Sequence, residues 1–218
     1  KAQTIIETIK GINQTYYLPS IQRKFVWDVH QIENLFDSLM QGYPIGTFLF
    51  WSVEKGGDPS HIDEYTFYEF INNYNEKNAL EFVQTKVEKP SVKERIVAVL
   101  DGQQRLSSLF CALQGSYAFK TNKRISPNDP YPKRELHLNL LYQCKNEMDN
   151  KYQFRFITST EASVKNEEQY WLKVKDVIAW SSSASGRSEI KKKAKGIVRE
   201  IRENDYESIT EDRYDDIE

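Results

Sequence analysis

The stretch that most constrains the fold runs from residue 95 to residue 115. Residues 95–100 (RIVAVL) are mostly β-branched or aliphatic, as in a buried strand. The polar turn 101–105 (DGQQR) follows directly, and an amphipathic helix ending at Gly115 is then predicted from the spacing of Leu106, Leu109, Phe110 and Leu113. A buried strand joined to a helix by so short a turn predicts a mixed α/β protein.

Further helices are predicted before the strand that precedes this turn. A short amphipathic helix is predicted from the spacing of Ile5, Ile9 and Ile12. Asp28 and Gln31 form a capping box, so a second helix begins after Asp28. Its predicted buried stripe consists of Ile32, Leu35, Phe36, Leu39 and Met40. Residues 64–86 are predicted to be partly helical.

Extended segments complete the fold class. Residues 16–21 and 48–51 are predicted to be extended, the second of them strongly apolar. Alternating side chains at 136–140 and 152–156 predict the two strands of a hairpin. The predicted fold is α/β (α+β), a mixed sheet flanked by helices with a helical C-terminal extension.

Charge divides the C-terminal part of the chain from the rest. Residues 1–180 are predicted to form one domain, 181–188 a linker, and 189–218 a basic amphipathic helix with an acidic tail. Residues 187–202 contain seven Lys or Arg against two Glu, whereas 203–218 contain eight acids against one Arg. Two interpretations of the helix stay open: packing of its apolar face, or DNA contact by Lys191, Lys192, Lys193 and Lys195.

Composition excludes several classes of protein. A chain of 218 residues buries enough surface to fold without disulfides or a structural metal. No apolar run approaches the ~18 residues of a membrane span, and two cysteines, Cys111 and Cys144, fit a reducing cytoplasm. Metal-ligand spacing is missing among His30, His61 and His137. Because the chain starts at Lys1 without a Met, we expect a piece of a longer protein.

The turn 101–105 has the features of an anion site. Backbone N–H groups at a helix N-terminus favour a phosphate, and Gly102 would let a ligand approach the backbone. The helix dipole disfavours a cation in the first turn, so a bound phosphate would explain Arg105. The alternative is that Asp101 is the N-cap, Gln104 completes a capping box, and Arg105 is a solvated charge.

A second candidate segment, residues 18–27 (LPSIQRKFVW), alternates basic and aromatic side chains ahead of a capped helix. Arg23 and Lys24 have the charge to contact phosphate. Phe25 and Trp27 are expected to pack against the following helix rather than stack on a ligand. We therefore expect Arg23 to lie beside the turn 101–105 and to share an anion with Arg105.

A third segment, residues 43–51 (YPIGTFLFW), is predicted to be a turn followed by a core strand. Gly46 and Thr47 stand where that strand starts, so they would line a pocket there. Chemically this segment is mostly structural, and its functional interest comes from its combination with the other two.

Together the three segments resemble the N-terminal domain family of GmrSD-type, modification-dependent restriction enzymes. The family pattern is a Pro-x-Tyr-Gln-Arg-x-Tyr-x-Trp segment, a Pro-Ile-Gly-Ser/Thr strand entry and an Asp-Gly-Gln-Gln-Arg-Leu motif after a strand. The same order occurs here within residues 18–109. Ile21 and Phe25 replace the two tyrosines, and Ser107 and Ser108 replace a pair of threonines.

The resemblance implies a fold related to the ParB/sulfiredoxin group and a site that binds and hydrolyses an NTP with Mg²⁺. Asp101 would orient the Mg²⁺ or the attacking water. Gln103 and Gln104 would contact the phosphates or position that water. The implied nucleotide- and phosphate-binding residues are Gly102, Arg105, Gln22, Arg23, Gly46 and Thr47.

The resemblance also implies partners. Nucleotide would be coupled to recognition of modified DNA in phage defence, and a separate C-terminal HNH-type nuclease domain would do the cutting. No HNH pattern occurs in this chain, so we expect no DNA cleavage by it and no membrane partner. Two alternatives stay open: a ParB-like switch that binds nucleotide and DNA without turnover, and a structural adaptor that binds nothing at the turn.

Overall fold

Helices and strands are mixed along the part of the chain that the structure describes. The computed structural model describes residues 4–21, 23–54, 65–78, 84–88, 95–121, 131–146, 149–181 and 186–204. These ranges contain six α-helices, nine strands and a short 3₁₀-helix. The predicted α/β class is therefore confirmed, while the finer relation to the ParB/sulfiredoxin group stays a prediction.

The helices are α1 (Ile5–Gly11), α2 (Val29–Met40), α3 (Gln103–Gln114), α4 (Ser159–Ala162), α5 (Val174–Ser181) and α6 (Gly186–Glu203). Four of these six, α1, α2, α3 and α6, lie close to predicted positions, whereas α4 and α5 were not predicted. The predicted capping box of Asp28 and Gln31 is present at the start of α2, with both of its hydrogen bonds. Met40 does not belong to the buried stripe of α2, because its side chain is 51% exposed at the last turn.

The strands form two sheets. They are β1 (Tyr16–Pro19), β2 (Leu49–Glu54), β3 (Phe67–Tyr68), β4 (Asn73–Asn75), β5 (Arg95–Asp101), β6 (Ser116–Ala118), β7 (Lys133–Asn139), β8 (Gln153–Ile157) and β9 (Trp171–Lys173). One sheet has the order β2-β5-β1-β3, and the other has the order β4-β6-β7-β8 with β9 also paired to β7. The predicted hairpin is confirmed, since β7 and β8 pair antiparallel with Leu136 opposite Phe156.

The strand and helix that flank the turn 101–105 lie at the centre of the molecule. Strand β5 pairs with β1 in parallel and with β2 in antiparallel orientation. Ten of the twelve residues of α3 are buried, and α3 contacts α1, α2, α5, β6 and β7. The turn between them is therefore attached to the most constrained part of the fold.

The prediction of partial helix within residues 64–86 holds only for one short 3₁₀-helix among the residues that the structure describes there. They form β3, β4 and a 3₁₀-helix at Glu76–Asn78. Phe67, Phe70 and Tyr74 are buried and have a spacing that also suits a helix. Pairing of β3 with β1 and of β4 with β6 overrides that local pattern.

The C-terminal helix α6 packs on the rest of the chain. Ile201 is fully buried in a cluster with Leu141 and Tyr170, as the packing interpretation of the basic helix predicts. Helix α5 ends at Ser181 and α6 begins at Gly186, so part of the predicted linker 181–188 is helical. Residues 182–185 of that linker and 205–218 of the acidic tail lie outside the described residues.

Within the described ranges, no helix combines the length and apolar character that crossing a membrane requires.

Candidate functional site

The turn before α3 depends on a glycine. Strand β5 continues through Asp101, and Gly102 is the N-cap of α3 with a left-handed φ of +86°. Glycine adopts this conformation readily because it has no Cβ. The interpretation of Asp101 and Gln104 as a capping box is therefore wrong, since Gly102 occupies the cap and offers no side chain to the first turn of α3.

An aromatic ring covers Gly102. A Cβ added at this position would collide with the ring of Phe48, and Gly102 itself is buried. The space that the missing Cβ leaves at Gly102 is thus filled by the Phe48 ring. A ligand cannot approach the backbone of Gly102 from the direction of this ring, contrary to the expectation from the sequence.

The side chains of Gln103 and Gln104 hold the segment that precedes α2. The amide Nε2 of Gln103 donates to the carbonyl of Arg23 at 2.6 Å. The amide Nε2 of Gln104 donates to the carbonyl of Lys24 at 2.9 Å, and its Oε1 accepts from the N–H of Val26 at 2.9 Å. Both glutamines are buried. In this structure their partners are backbone groups, so they fix the position of residues 23–26 relative to the turn.

Arg105 holds the third segment in the same way. Its guanidinium donates to the carbonyl of Ile45 through Nη1 and to the carbonyl of Thr47 through Nη2, the second bond being 2.7 Å long. The guanidinium carbon lies 4.9 Å from the ring centroid of Phe48. Arg105 therefore clamps the turn that leads into β2, and its side chain remains 18% exposed.

Gly46 is fitted to Arg105. Its φ is +85°, and a Cβ at this position would collide with the guanidinium Nη1. The sequence indicated Gly46 and Thr47 as pocket-lining residues, and the structure places both beside Arg105. It did not indicate Ile45 or Phe48, because a backbone carbonyl and a strand aromatic carry no distinctive sequence signal.

Arg23 reaches the site through its backbone. Its carbonyl is bonded to Gln103, whereas its side chain is exposed. The main chain of Arg23 therefore lies beside the turn, as expected. Phe25 is buried in the core and Trp27 packs against it, as predicted, but the ring next to Phe25 is that of Tyr74 on β4, at 5.1 Å, rather than a residue of the following helix. Gln22 lies outside the described residues.

Asp101 brings a carboxylate to this site. The Asp101 side chain is 65% exposed, and its Oδ2 lies 3.4 Å from Nη2 of Arg105. No group of three or more His, Cys, Asp or Glu side chains that could hold a metal ion occurs in the described part of the chain. Mg²⁺ commonly binds through one or two protein carboxylates and the phosphates of a substrate. Asp101 offers one such carboxylate at this turn.

Two buried titratable side chains of the described ranges, Cys111 and His137, are not suited to act as a nucleophile or base. Burial raises the pKa of the Cys111 thiol to about 12, so the nucleophilic thiolate is not available near neutral pH. Burial lowers the pKa of His137, whose Nδ1 contacts the carbonyl of Glu135 at 2.9 Å. His61 lies outside the described residues. At the turn 101–105 itself the charged side chains are those of Asp101 and Arg105.

Comparison with known proteins gives the family. The family model described as "GmrSD restriction endonuclease, N-terminal domain" matches residues 5–217. The chain therefore belongs to this family. An uncharacterized protein of Methanocaldococcus jannaschii is 38% identical over 96 residues, which cover 44% of this chain and 14% of that protein. The chain matches only a small part of the length of this relative.

Proposed function

We propose that this chain binds a nucleoside triphosphate where segments 23–26, 45–48 and 101–105 meet, and that it hydrolyses the nucleotide to report on modified DNA. The observation that carries the proposal is the convergence of these segments. Three consecutive side chains, Gln103, Gln104 and Arg105, tie two distant segments to one turn. A merely structural helix start does not require such an arrangement. Membership of the restriction endonuclease family supports it.

Within this proposal the side chains divide into two groups. Gln103 and Gln104 act as positioning residues, because their amides are bonded to the backbone. Arg105 has five N–H donors. Three of them are directed at two backbone carbonyls and at the carboxylate of Asp101, which leaves two for a phosphate. Arg23 and Asp101 are exposed and would contact the nucleotide directly. Arginine suits this task because its planar donors match phosphate oxygens.

The proposed role of Mg²⁺ is limited to one contact of the chain. Asp101 would hold it together with the nucleotide's phosphates, and the ion would neutralise charge on those phosphates, as in phosphoryl transfer generally. The contribution of the protein is to bind the phosphates, orient the nucleotide and place Asp101 beside them. Gly46 and Thr47 shape the same surface through their backbone.

Nucleotide binding is tested most cleanly at Arg23. Because its structural contact is made by the carbonyl, Arg23→Ala removes the charge without removing the contact. We expect calorimetry with NTP and Mg²⁺ to show a loss of about 1.5–3 kcal/mol in binding, the value of a hydrogen bond to a charged group. Lys10→Ala, an exposed cation on α1, is the control. Unchanged affinity in Arg23→Ala would contradict the proposal.

Turnover is a separate question with a separate measurement. Release of phosphate by the chain, lost in Asp101→Asn, is the expected result. Binding of NTP without release would instead identify a nucleotide switch, and absence of binding would identify a structural adaptor. The chain is also expected not to nick modified DNA in the presence of Mg²⁺ and NTP. Nicking of modified phage DNA by the purified chain would contradict that expectation.

A further inference from the structure

Helix α6 carries a continuous row of cations on its exposed side. At about 100° per residue, Lys191, Lys192, Lys195, Arg199 and Arg202 fall within an arc of roughly 100°. We call these five residues the basic stripe. All five are exposed. Arg199 also forms an ion pair with Glu203 at 2.7 Å, at the edge of the stripe.

The opposite side of α6 is fixed to the body of the protein. Ile201 is fully buried and Ile197 packs beside it. Glu200 accepts from the hydroxyl of Tyr170 at 2.9 Å and is paired with Lys165. Packing and charge display are therefore not alternatives for this helix. The packed side determines the direction in which the basic stripe faces.

We propose that the basic stripe binds the phosphate backbone of duplex DNA. At ~1.5 Å per residue the stripe is about 16 Å long. Duplex DNA carries one negative charge per ~1.7 Å of its axis, so a row of cations of this length laid against the duplex meets a high density of phosphates. Contacts of this kind position a protein on DNA without reading its sequence.

Other partners suit the stripe less well. A helix that binds a membrane surface inserts its apolar face, but in α6 this face is occupied by contacts with Leu141 and Tyr170. The choice of duplex DNA as the polyanion rests on the proposed function in a restriction endonuclease family. The stripe itself lies on a different element from the turn 101–105, so nucleotide and DNA binding can be tested separately.

The experiment measures the affinity of the 218-residue chain for an unmodified duplex of about 20 base pairs, by fluorescence anisotropy over a salt series without nucleotide. Each phosphate contact contributes about 0.9 to the slope of log affinity against log salt. We expect the triple variant Lys191→Gln, Lys192→Gln, Lys195→Gln to reduce the magnitude of this slope by about 2.7. The corresponding triple change to Arg should retain it.

A matched control removes the same charge elsewhere. The triple variant Lys77→Gln, Lys86→Gln, Lys133→Gln alters three exposed lysines outside α6 and should leave the slope nearly unchanged. Equal losses in both triple variants, or no effect of either, would overturn the proposal, as would tighter binding of a matched RNA duplex. Arg23→Ala should retain the DNA slope in these conditions. If only nucleotide binding fails, the proposed function is contradicted while the proposal of DNA binding by the basic stripe stands.

Discussion

At the scale of single residues, Arg105 makes structural hydrogen bonds and also belongs to the proposed nucleotide site. A cation in the first turn of a helix is disfavoured by the helix dipole, yet Arg105 is held there by two backbone carbonyls. These bonds offset the unfavourable position by fixing the turn that contains Gly46. The residue is therefore required by the fold as well as by the proposed nucleotide site, and its substitution alone cannot separate the two.

Gly102 and Gly42 offer a cleaner experiment. Both have a positive φ, +86° and +77°, but a Cβ at Gly42 would meet nothing within 4 Å, whereas one at Gly102 would collide with Phe48. Gly42→Ala should cost about 1–2 kcal/mol, the left-handed backbone penalty alone. Gly102→Ala should cost clearly more in urea unfolding, because the ring must also move. Equal losses would show that Phe48 yields without cost.

Some of this residue-scale picture could be predicted from the sequence. The polar turn between a β-branched strand and an apolar helix indicated where Asp101, Gly102 and Arg105 would lie. The partners of Gln103 and Gln104 could not be predicted, because they are backbone groups far away in the sequence. The two carbonyls lie 80 positions from the glutamines that they bind, and the N–H of Val26 lies 78 positions from Gln104. A backbone carbonyl is the same at every residue, so only the three-dimensional fold identifies which one is in reach.

At the scale of elements, helix α2 protects the edge of a sheet. Strand β8 is at the end of its sheet. The carboxylate of Glu33 accepts from the N–H of Phe156 at 2.9 Å, and that of Asp37 accepts from the N–H of Tyr152 at 2.8 Å. Both acids are buried. They satisfy donors that an edge strand would otherwise leave open to another chain.

Substitutions at Glu33 test this role. Burial raises the pKa of Glu33, although the bond from Phe156 and the neighbouring His30 act in the opposite direction. Glu33→Ala should cost about 1–3 kcal/mol in unfolding free energy, because the Phe156 N–H loses its partner. Glu33→Gln keeps an acceptor and removes the buried charge, so its cost should be below about 1 kcal/mol. Equal costs for the two variants would contradict this account.

A second acidic residue links three elements and predicts a pH dependence. Glu135 on β7 accepts from Lys173 of β9 at 2.6 Å and from Lys175 of α5 at 2.9 Å. Burial alone would raise the pKa of Glu135, but the two lysines lower it from 4.5 to about 2. Because the folded pKa lies below the unfolded one, the stabilisation is complete above pH 4.5 and is lost as the pH falls towards 2.

The matching variant is Glu135→Gln. At pH 7 it should lower the unfolding free energy by at most about 3 kcal/mol. The difference from the parent chain should shrink between pH 4.5 and about 2, where the parent carboxylate also becomes neutral. Urea unfolding at several pH values measures this. Glu168→Gln, an exposed acid, should show little difference at any pH, and a pH-independent loss in Glu135→Gln would refute the linkage.

The elements were predictable to different degrees for physical reasons. The capping box at Asp28 and the alternating residues of β7 and β8 are local signals, and both were confirmed. Strands β3 and β4 contain two and three residues, too few to establish a period. Their existence depends on pairing with β1 and β6, which no local pattern reports.

At the scale of the whole molecule, α6 decides whether the C-terminal part is an appendage. The sequence predicted a linker at 181–188, and the charge pattern suggested a separate helix. In the structure α6 contacts α5, and its buried residue Ile201 completes a cluster with Leu141 and Tyr170. Only side-chain burial distinguishes a packed helix from a tethered one, because both have an amphipathic sequence.

Ile201→Ala tests the connection between α6 and the body. A fully buried isoleucine replaced by alanine should cost about 2–5 kcal/mol through lost burial and the cavity that remains. Because the cluster includes Leu141 beyond β7 and Tyr170 before β9, the cost should shift the main unfolding transition of the chain. Ile190→Ala, a partly exposed residue of the same helix, should cost less. The contrary result would be an early loss of helix in circular dichroism while the midpoint from tryptophan fluorescence stays at the parental value. In that case α6 would be an independent appendage, and the basic stripe would have no fixed direction.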